Sequence, residues 1–397
     1  MYQALLKQLQ ADQQTFIDIR RQLHMHPELS FQEEATPAYI AEQLASYGIS
    51  HIRTGVGGRG VVATVTGTQA VTTPKTVALR ADFDALPIQD QKNVPYKSTV
   101  SGAMHACGHD AHTASLLAVA KVVSNNRGCF GGSIRFIFQH AEEVQPGGAV
   151  SMIADGCLTE VDAIFGNHVA SDMPLGYGAY AQGPIMANSD FFDIMIQGKG
   201  GHAGYPHTTL DPVLMGVNAV QAFQQIVTRQ VQATAPAVLS VTKFEAGTAF
   251  NIIPDKVTLG GTVRTYDSDT QATIIRSMEQ ILMAMTHIDG ASYTLNYTKG
   301  YPAVINTPAE TNLVKQAMTA IGLTALPMSP RMGGEDFAYY LQQVPGSFFY
   351  TGAAKDKTTN YPHHHPLFDI DEQAILIASK LLLTAALGYL EGLTSEA

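Results

Sequence analysis

The chain shows two patterns of apolar and polar residues, one typical of strands and one typical of helices. The short apolar runs that predict buried strands are residues 76–81, 133–139, 161–167 and 347–351. Apolar residues at helical spacing predict helices at residues 2–25, 33–47, 111–124 and 371–391. Strands that alternate with helices along a chain are typical of a layered α/β domain.

The middle of the chain follows a different order of elements. It reads as a strand at 189–198, a helix at 210–229, strands at 237–245 and 256–266, a helix at 270–287 and a strand at 291–298. This β-α-β-β-α-β order is that of the ferredoxin-like motif. Glycine and proline, which commonly mark boundaries, flank it at Gly183-Pro184 and Gly300-Tyr301-Pro302. We therefore predict a domain at residues 185–299, inserted in a first domain made of residues 1–184 and 300–397.

The composition excludes several other classes of protein. A chain of 397 residues with 45% hydrophobic residues can form two or three domains with large buried cores. The formal net charge is −10, and an acidic chain without clustered Lys and Arg is a poor nucleic-acid binder. The sequence shows no apolar run of about 18–20 residues that would cross a membrane, and no secretion signal. With three cysteines, we expect a cytoplasmic protein in a reducing compartment.

Five polar clusters interrupt the apolar pattern. They are Asp82 with Asp84, residues 105–110, Glu142 with Glu143, Asn167 with His168, and residues 363–365. We expect three of them to follow strands directly, and ligand sites in open α/β sheets form beyond the carboxyl ends of the strands. Clusters that are far apart in the sequence would therefore converge at one edge of the predicted sheet.

The residue types in these clusters match a transition-metal site. Thiolate, imidazole and carboxylate together suit zinc or a neighbouring metal rather than calcium or magnesium. Cys107 and His109 lie just before a predicted helix, where both can face one ion. Neighbours on a strand point to opposite sides, so one of Glu142 and Glu143 could bind metal while the other faces a substrate. Each cluster alone has an ordinary structural explanation, such as a buried apolar cysteine, but all five fit one site.

The chain resembles the amidohydrolase branch of the metal-dependent aminoacylase/carboxypeptidase superfamily, which includes hippurate hydrolases, N-acyl-amino-acid amidohydrolases and auxin-conjugate hydrolases. The segments that carry the resemblance are RRQLHMHPELSFQEEAT, LRADFDALPIQD, MHACGHDAHTASLL, FQHAEE, GNHV, GKGGHAGYPH, FNIIPD, GGEDFA and HHHPLFDIDE. They occur in the family's order over nearly the whole chain. The resemblance implies an α/β catalytic domain that binds two metal ions, with an inserted lid domain that also forms a homodimer.

The resemblance also implies roles for individual residues. The ligands of two divalent transition-metal ions per chain, with Zn, Mn, Co and Ni all open, would be Cys107, His109, Glu143, His168 and His364. His364 fits the family pattern His-x-Pro-x-Phe, and His363 and His365 are the alternatives. Glu142 would be the general base and His202 would polarise the scissile carbonyl. Asn251 and Arg264 match positions near the substrate.

The implied reaction is hydrolysis of the amide bond of an N-acylated amino acid, a small molecule. Bound metal ions lower the pKa of a water molecule, and Glu142 would take the proton from that water. Asp84 and Asp110 would orient ligand imidazoles. Hydrolysis of dipeptides on the same scaffold is the alternative. A non-catalytic metal-binding protein is the third hypothesis, and it leaves Glu142 without a use.

Overall fold

The computed structural model describes residues 2–287, 290–356 and 360–392, which form two compact units. The larger unit comprises Met1–Ile185, Ile305–Ser329 and Asp336–Ala397. The smaller unit comprises Met186–Val304 and Pro330–Glu335. The smaller unit is therefore an insertion, because the chain of the larger unit continues on both sides of it.

Strands and helices follow one another in mixed order along the described residues. The strands are β1 (Ile52–Val56), β2 (Gly60–Thr66), β3 (Thr76–Asp82), β4 (Ser133–Gln139), β5 (Ala163–Pro174), β6 (Tyr177–Tyr180), β7 (Gly183–Met186), β8 (Ser189–Gln197), β9 (Gly201–His202), β10 (Val238–Ala246), β11 (Ile252–Ile253), β12 (Lys256–Arg264), β13 (Ser292–Tyr301), β14 (Val304–Asn306), β15 (Thr324–Pro327) and β16 (Gly346–Ala354). The α-helices are α1 (Tyr2–Ala11), α2 (Gln13–Met25), α3 (Ala35–Ser46), α4 (His109–Asn125), α5 (Gly148–Ala154), α6 (Pro212–Gln225), α7 (Ser268–Met285), α8 (Pro308–Ala320), α9 (Ala338–Leu341) and α10 (Gln373–Leu390).

A mixed eight-stranded sheet forms the centre of the larger unit, in the order β1-β2-β4-β3-β5-β16-β6-β15. Its middle strands β4, β3, β5 and β16 are parallel neighbours. Almost all residues of β3 and β16 are buried, as expected for parallel strands covered on both faces. α4 and α10 pack against these strands around a core that includes Leu79, Phe136 and Phe165. The carboxyl ends of the parallel strands therefore share one edge of the sheet.

Helix α10 is apolar on nearly all sides. By length and composition it could cross a membrane, with a mean hydropathy of 1.6, which corrects the expectation that the sequence has no such apolar run. It is the one helix among the described residues that passes this test. However, 78% of it is buried inside the protein. A helix that is hydrophobic all round and covered by its own chain has the character of a core helix.

Two predicted elements differ from the structure, and the others are present with ends shifted by a few residues. The predicted helix at 2–25 is two helices, interrupted at Asp12. Aspartate is a weak helix former, and this carboxylate lies 3.0 Å from Lys121 Nζ. The predicted strand at 161–167 was too short, so His168 lies inside β5 and not beyond its end. The reason is that β5 stays paired with β16 as far as Pro174.

The smaller unit is an antiparallel four-stranded sheet with two helices packed on one face. Its strand order is β10-β12-β8-β13, and α6 and α7 follow β8 and β12 in their connections. Phe192, Ile194 and Ile196 alternate along β8 into the core below the helices. Beside this sheet, β9 pairs with β11, so that His202 lies opposite Ile252. The predicted ferredoxin-like arrangement, and with it the predicted α/β fold class, is confirmed.

Candidate metal centre

The carboxyl ends of β3 and β4 bring the first acidic residues of the site together. Asp82 is the last residue of β3 and pairs with Gln139, the last residue of β4. Glu142 and Glu143 follow shortly after β4, and Asp84 follows shortly after β3. All of these acidic side chains are buried or nearly so, which places several carboxylates away from water at one edge of the sheet.

Cys107 and His109 reach the same edge from the loop that begins α4. The residue between them, Gly108, has φ of 95°, which is left-handed backbone that favours glycine. A Cβ at this position would lie 2.4 Å from Cγ2 of Val169. Only glycine therefore lets the loop turn between the two side chains and pack against β5.

The described residues form four groups of potential ligands, and two of these groups overlap at Cys107. In one group the ligand atoms of Cys107, His109 and Glu143 all lie within 4.8 Å of one another. In the other, those of Cys107, His168 and His363 do the same. The Cys107 sulfur belongs to both groups and lies 3.4 Å from His168 Nε2. Cys107 would therefore be within reach of an ion in either group.

The three consecutive histidines at 363–365 point in different directions. His364 Nε2 lies 3.2 Å from Oε1 of Glu143. The His363 ring lies 5.1 Å from the His168 ring, but its Nε2 accepts a 3.4 Å hydrogen bond from the Ser171 backbone N–H. The His365 ring stacks on Tyr361 with centroids 4.6 Å apart. The structure thus brings His364 and His363 to the candidate centre.

Asp84 orients a predicted ligand, whereas Asp110 does not. Oδ1 of Asp84 lies 3.1 Å from Nδ1 of His109, which is the position expected of a carboxylate that orients an imidazole. Asp110 instead accepts hydrogen bonds from Arg20 Nε at 2.7 Å and from His24 Nδ1 at 2.6 Å. The prediction for Asp110 was wrong because its side chain faces α2 and not the ligands.

His112 is a residue of the site that the sequence analysis missed. Its Nε2 accepts a hydrogen bond from the Val169 backbone N–H at 3.0 Å. In the neutral ring Nδ1 therefore carries the proton, and Nδ1–H donates a hydrogen bond to Asp82 Oδ1 at 2.6 Å. The ring also contacts that of His168, with centroids 4.6 Å apart. The available signal was its spacing three residues after His109 on α4, which places both on one face of the helix.

The buried carboxylates make the centre electronegative. Burial, and then the charges of Glu143 and Glu142, raise the pKa of the Cys107 thiol well above its ordinary value. Burial alone would lower the pKa of His109, but Asp82 and Asp84 outweigh it and raise the pKa to about 10. The His109 shift in particular reports excess negative charge, which a bound cation would offset.

The residues present fit two divalent transition-metal ions. Nε2 of His109 is buried and has no hydrogen-bond partner among the residues that the structure describes. Oε1 of Glu143 is also buried and makes no hydrogen bond there, although His364 Nε2 lies 3.2 Å away. Buried polar atoms are normally hydrogen-bonded, so unsatisfied ones call for a ligand. Sulfur, imidazole nitrogen and carboxylate oxygen are the donors that zinc and its neighbours take.

The predicted residues of the inserted domain all belong to the smaller unit. His202 is exposed on β9, and its Nδ1 accepts the backbone N–H of Gly204 at 3.0 Å. The carbonyl of Asn251 accepts the N–H of Ala203, which places Asn251 beside His202. Arg264 lies at the end of β12, and its Nη1 donates to the carbonyls of Asp190 and Val263.

Glu33 fixes the turn that leads into the glutamate pair. Its Oε1 accepts the backbone N–H of Ala141 at 2.9 Å, and Ala141 has φ of 52°, a left-handed conformation uncommon for alanine. Glu33 is fully buried, and burial, with a contribution from Asp84, raises its pKa to about 7. No sequence pattern indicated this contact, because the two residues are 108 positions apart.

Comparisons with known proteins point to one family. The sequence model of peptidase family M20/M25/M40 matches residues 78–387, more than half of the chain. A Bacillus subtilis (strain 168) protein, provisionally named amidohydrolase YhaA, is 50% identical over 386 residues, 96% of each chain. The N-acetylcysteine deacetylase of the same organism is 38% identical over 380 residues, 94% of this chain and 97% of its own. The crystal structure of Bacillus subtilis YXEP, a dinuclear metal binding peptidase, has a TM-score of 0.85 and 35% identity, covering 96% of this chain and 99% of its own.

The raised pKa of Glu33 predicts a pH-dependent effect of Glu33→Gln on stability. The folded-state pKa of about 7 lies above the ordinary value of 4.5, so the protonated acid stabilises the fold below about pH 4.5 and this contribution is lost as the pH rises through about 7. The amide keeps the acceptor for Ala141 and has no proton to lose. Its free energy of unfolding should therefore rise relative to wild type over this window, by on the order of 3 kcal/mol.

Denaturant unfolding of the metal-free proteins at several pH values measures this difference. Glu34→Gln is the matched control, because the neighbouring Glu34 side chain is 81% exposed and its substitution should have an effect that hardly changes with pH. A stability difference between Glu33→Gln and wild type that stays constant across the window would contradict the argument.

Proposed function

Because this chain belongs to peptidase family M20/M25/M40 and is a metal-dependent amidohydrolase, we propose that it hydrolyses N-acylated amino acids to a carboxylic acid and a free amino acid. The observation that carries the proposal is Glu142, a buried carboxylate beside the candidate ligands. Its Oε2 lies 3.9 Å from His109 Nε2. The deacetylase among the relatives is named for N-acetylcysteine, which is itself an N-acylated amino acid.

The proposed metal ligands are Cys107, His109, Glu143, His168 and His364. His364 is preferred to His363 because its Nε2 faces Glu143, whereas the Nε2 of His363 accepts a backbone hydrogen bond. When bound, divalent ions such as Zn, Mn, Co or Ni supply Lewis-acid activation of a water molecule and of the substrate carbonyl. The residues match that role with one soft donor, three imidazoles and one carboxylate.

Glu142 is the proposed general base. A carboxylate oxygen of Glu142 accepts a proton from the attacking water as the new C–O bond forms. The same group then delivers this proton to the amide nitrogen as the C–N bond breaks. The products are the carboxylic acid and the free amine, and Glu142 is again a carboxylate. Glu142 is 7% exposed, and this burial keeps bulk water away from the transferred proton.

His202 is the proposed hydrogen-bond donor to the substrate carbonyl. Because Gly204 N–H occupies Nδ1, the neutral ring carries its proton on Nε2. Nε2–H is then free to donate to the oxygen that becomes negative in the transition state, as an oxyanion-hole donor does. Asn251 and Arg264 are proposed to contact the substrate from the same unit.

We further propose that the protein is a cytoplasmic homodimer formed through the smaller unit. β10 is an edge strand, and an unpaired edge is a template for pairing with another chain. Exposed apolar side chains support this assignment, with Leu214 60%, Val217 40% and Phe244 41% exposed. Cys107, Cys129 and Cys157 are free, which fits a reducing compartment.

Turnover of N-acetyl and N-benzoyl amino acids tests the proposed function. We expect hydrolysis of both classes, loss of activity after prolonged chelation, and recovery when Zn, Mn, Co or Ni is added. Elemental analysis should find up to about two ions per chain, as in dinuclear sites. Full activity in rigorously metal-free protein, or a preference for dipeptides with a free α-amino group, would contradict the proposal.

The two neighbouring glutamates should give opposite phenotypes. Glu142→Gln keeps the shape of the side chain but removes its proton acceptor, so kcat should fall by about 10²–10⁴-fold with metal content unchanged. Glu143→Gln removes a ligand oxygen, so metal affinity should fall. Metal analysis of both variants beside wild type separates these effects, and exchanged phenotypes would show that the two roles are reversed.

A mixed dimer tests whether His202 serves the active site of the partner subunit. His202→Ala should lower kcat by about 10²–10³-fold without changing metal content, the usual loss for one oxyanion donor. Co-expression with Glu142→Gln should restore activity, because one of the two sites in the hybrid then carries neither change. Differential tags identify the hybrid, and an inactive hybrid would show that His202 does not act across the dimer.

A further inference from the structure

Tyr205 presents its ring to solvent directly beside His202. The two ring centroids are 5.2 Å apart, and Tyr205 is 59% exposed. The Tyr205 backbone N–H donates to the His202 carbonyl at 2.8 Å, which closes a tight turn. This turn therefore holds the backbone of residue 205 close to that of His202.

Further exposed apolar side chains flank the same histidine. Ile252 lies opposite His202 in the β9–β11 pairing and is 56% exposed. Phe250 precedes Asn251, whose carbonyl holds Ala203, and Phe250 is fully exposed. Large apolar side chains that gather on a surface around one polar group are typical of binding sites.

We propose that Tyr205, with Phe250 and Ile252, binds the acyl group of the substrate and makes the enzyme select aromatic or long apolar acyl groups over acetyl. The inference rests on the proposed function, in which His202 Nε2–H donates to the scissile carbonyl. A hydrogen bond to that oxygen is about 3 Å long. The group attached to the carbonyl carbon then lies within van der Waals reach of a ring centred 5.2 Å from His202.

The chemistry of the surface favours the acyl half of the substrate over the amino-acid half. The amino-acid half carries a carboxylate, and moving this charge from water to an apolar surface without a partner costs free energy. The acyl half is uncharged hydrocarbon, and its burial against Tyr205 and Phe250 is favourable. An aromatic acyl group adds a ring–ring contact with Tyr205.

The test compares N-benzoyl and N-acetyl derivatives of one amino acid in wild type, Tyr205→Ala and Tyr205→Phe. Tyr205→Ala should lower kcat/KM for the benzoyl substrate by about 10-fold or more, the scale of one lost apolar contact in a pocket. The acetyl substrate should change by less than about threefold, because its methyl group buries far less apolar surface against the ring than a benzoyl group does. Tyr205→Phe keeps the ring and should keep the benzoyl preference.

Two controls make the outcome decisive. Tyr177→Ala removes an exposed tyrosine of the larger unit and should leave the ratio of the two substrates unchanged. Sedimentation of each variant reports whether Tyr205 instead packs against a second copy of the chain. An equal loss of both substrates, with or without a change in oligomeric state, would overturn the assignment of Tyr205 and leave the proposed function intact. Failure of wild type to hydrolyse either substrate would overturn both.

Discussion

The candidate metal centre depends on one buried carboxylate, that of Asp84. Its oxygens bind the Ser30 hydroxyl, the Glu143 backbone N–H and Nδ1 of His109. These partners come from the segment before α3, from the residues after β4 and from the start of α4. Asp84 is 1% exposed, so protein groups supply the hydrogen bonds that water would otherwise make. Burial acts to raise its pKa, but the hydrogen bonds from His109 and Ser30 prevail and lower it. Asp84 therefore stays ionised, and its hydrogen bonds hold together three segments that are far apart in the sequence.

The other buried charges are arranged so that cations neutralise the supporting carboxylates and not the proposed ligands. Arg80 lies between Asp82 and Asp336, at 2.6 and 2.9 Å. Removing one partner of such a buried pair lowers the free energy of unfolding by several kcal/mol, since the other charge then stays buried without a partner. The ion-pair contacts of Glu143 are instead to His109 and His364. The negative charge that arginine does not balance thus faces the centre, where a divalent ion would balance it.

Periodicity predicted the long elements of both units because their apolar faces repeat over many residues. Periodicity did not predict short strands such as β1 and β15, since they are largely exposed and have few buried apolar residues. The acidic and histidine clusters of the centre were visible because several side chains stand together in the sequence. The family pattern selected His364 among the three histidines, but residue types alone could not, because the directions of the side chains depend on the backbone, including the φ of 65° at His364. Sequence analysis also could not find Glu33, whose partner at Ala141 is a backbone group and leaves no trace in the residue types.

In four histidines, His109, His168, His112 and His202, hydrogen bonding at one ring nitrogen limits what the other nitrogen can do. Nδ1 of His109 and of His168 faces oxygen acceptors, Asp84 and the Val169 carbonyl, so in the neutral ring each Nε2 carries the lone pair that a metal ion would take. In His112 the Val169 N–H occupies Nε2, which leaves that ring to support Asp82 rather than to bind an ion. In His202 a backbone N–H occupies Nδ1, and the proton on Nε2 makes the ring a donor. The same side chain is thus suited to act as a ligand, as a support or as a donor, and the groups that surround each ring decide which of these it is suited to.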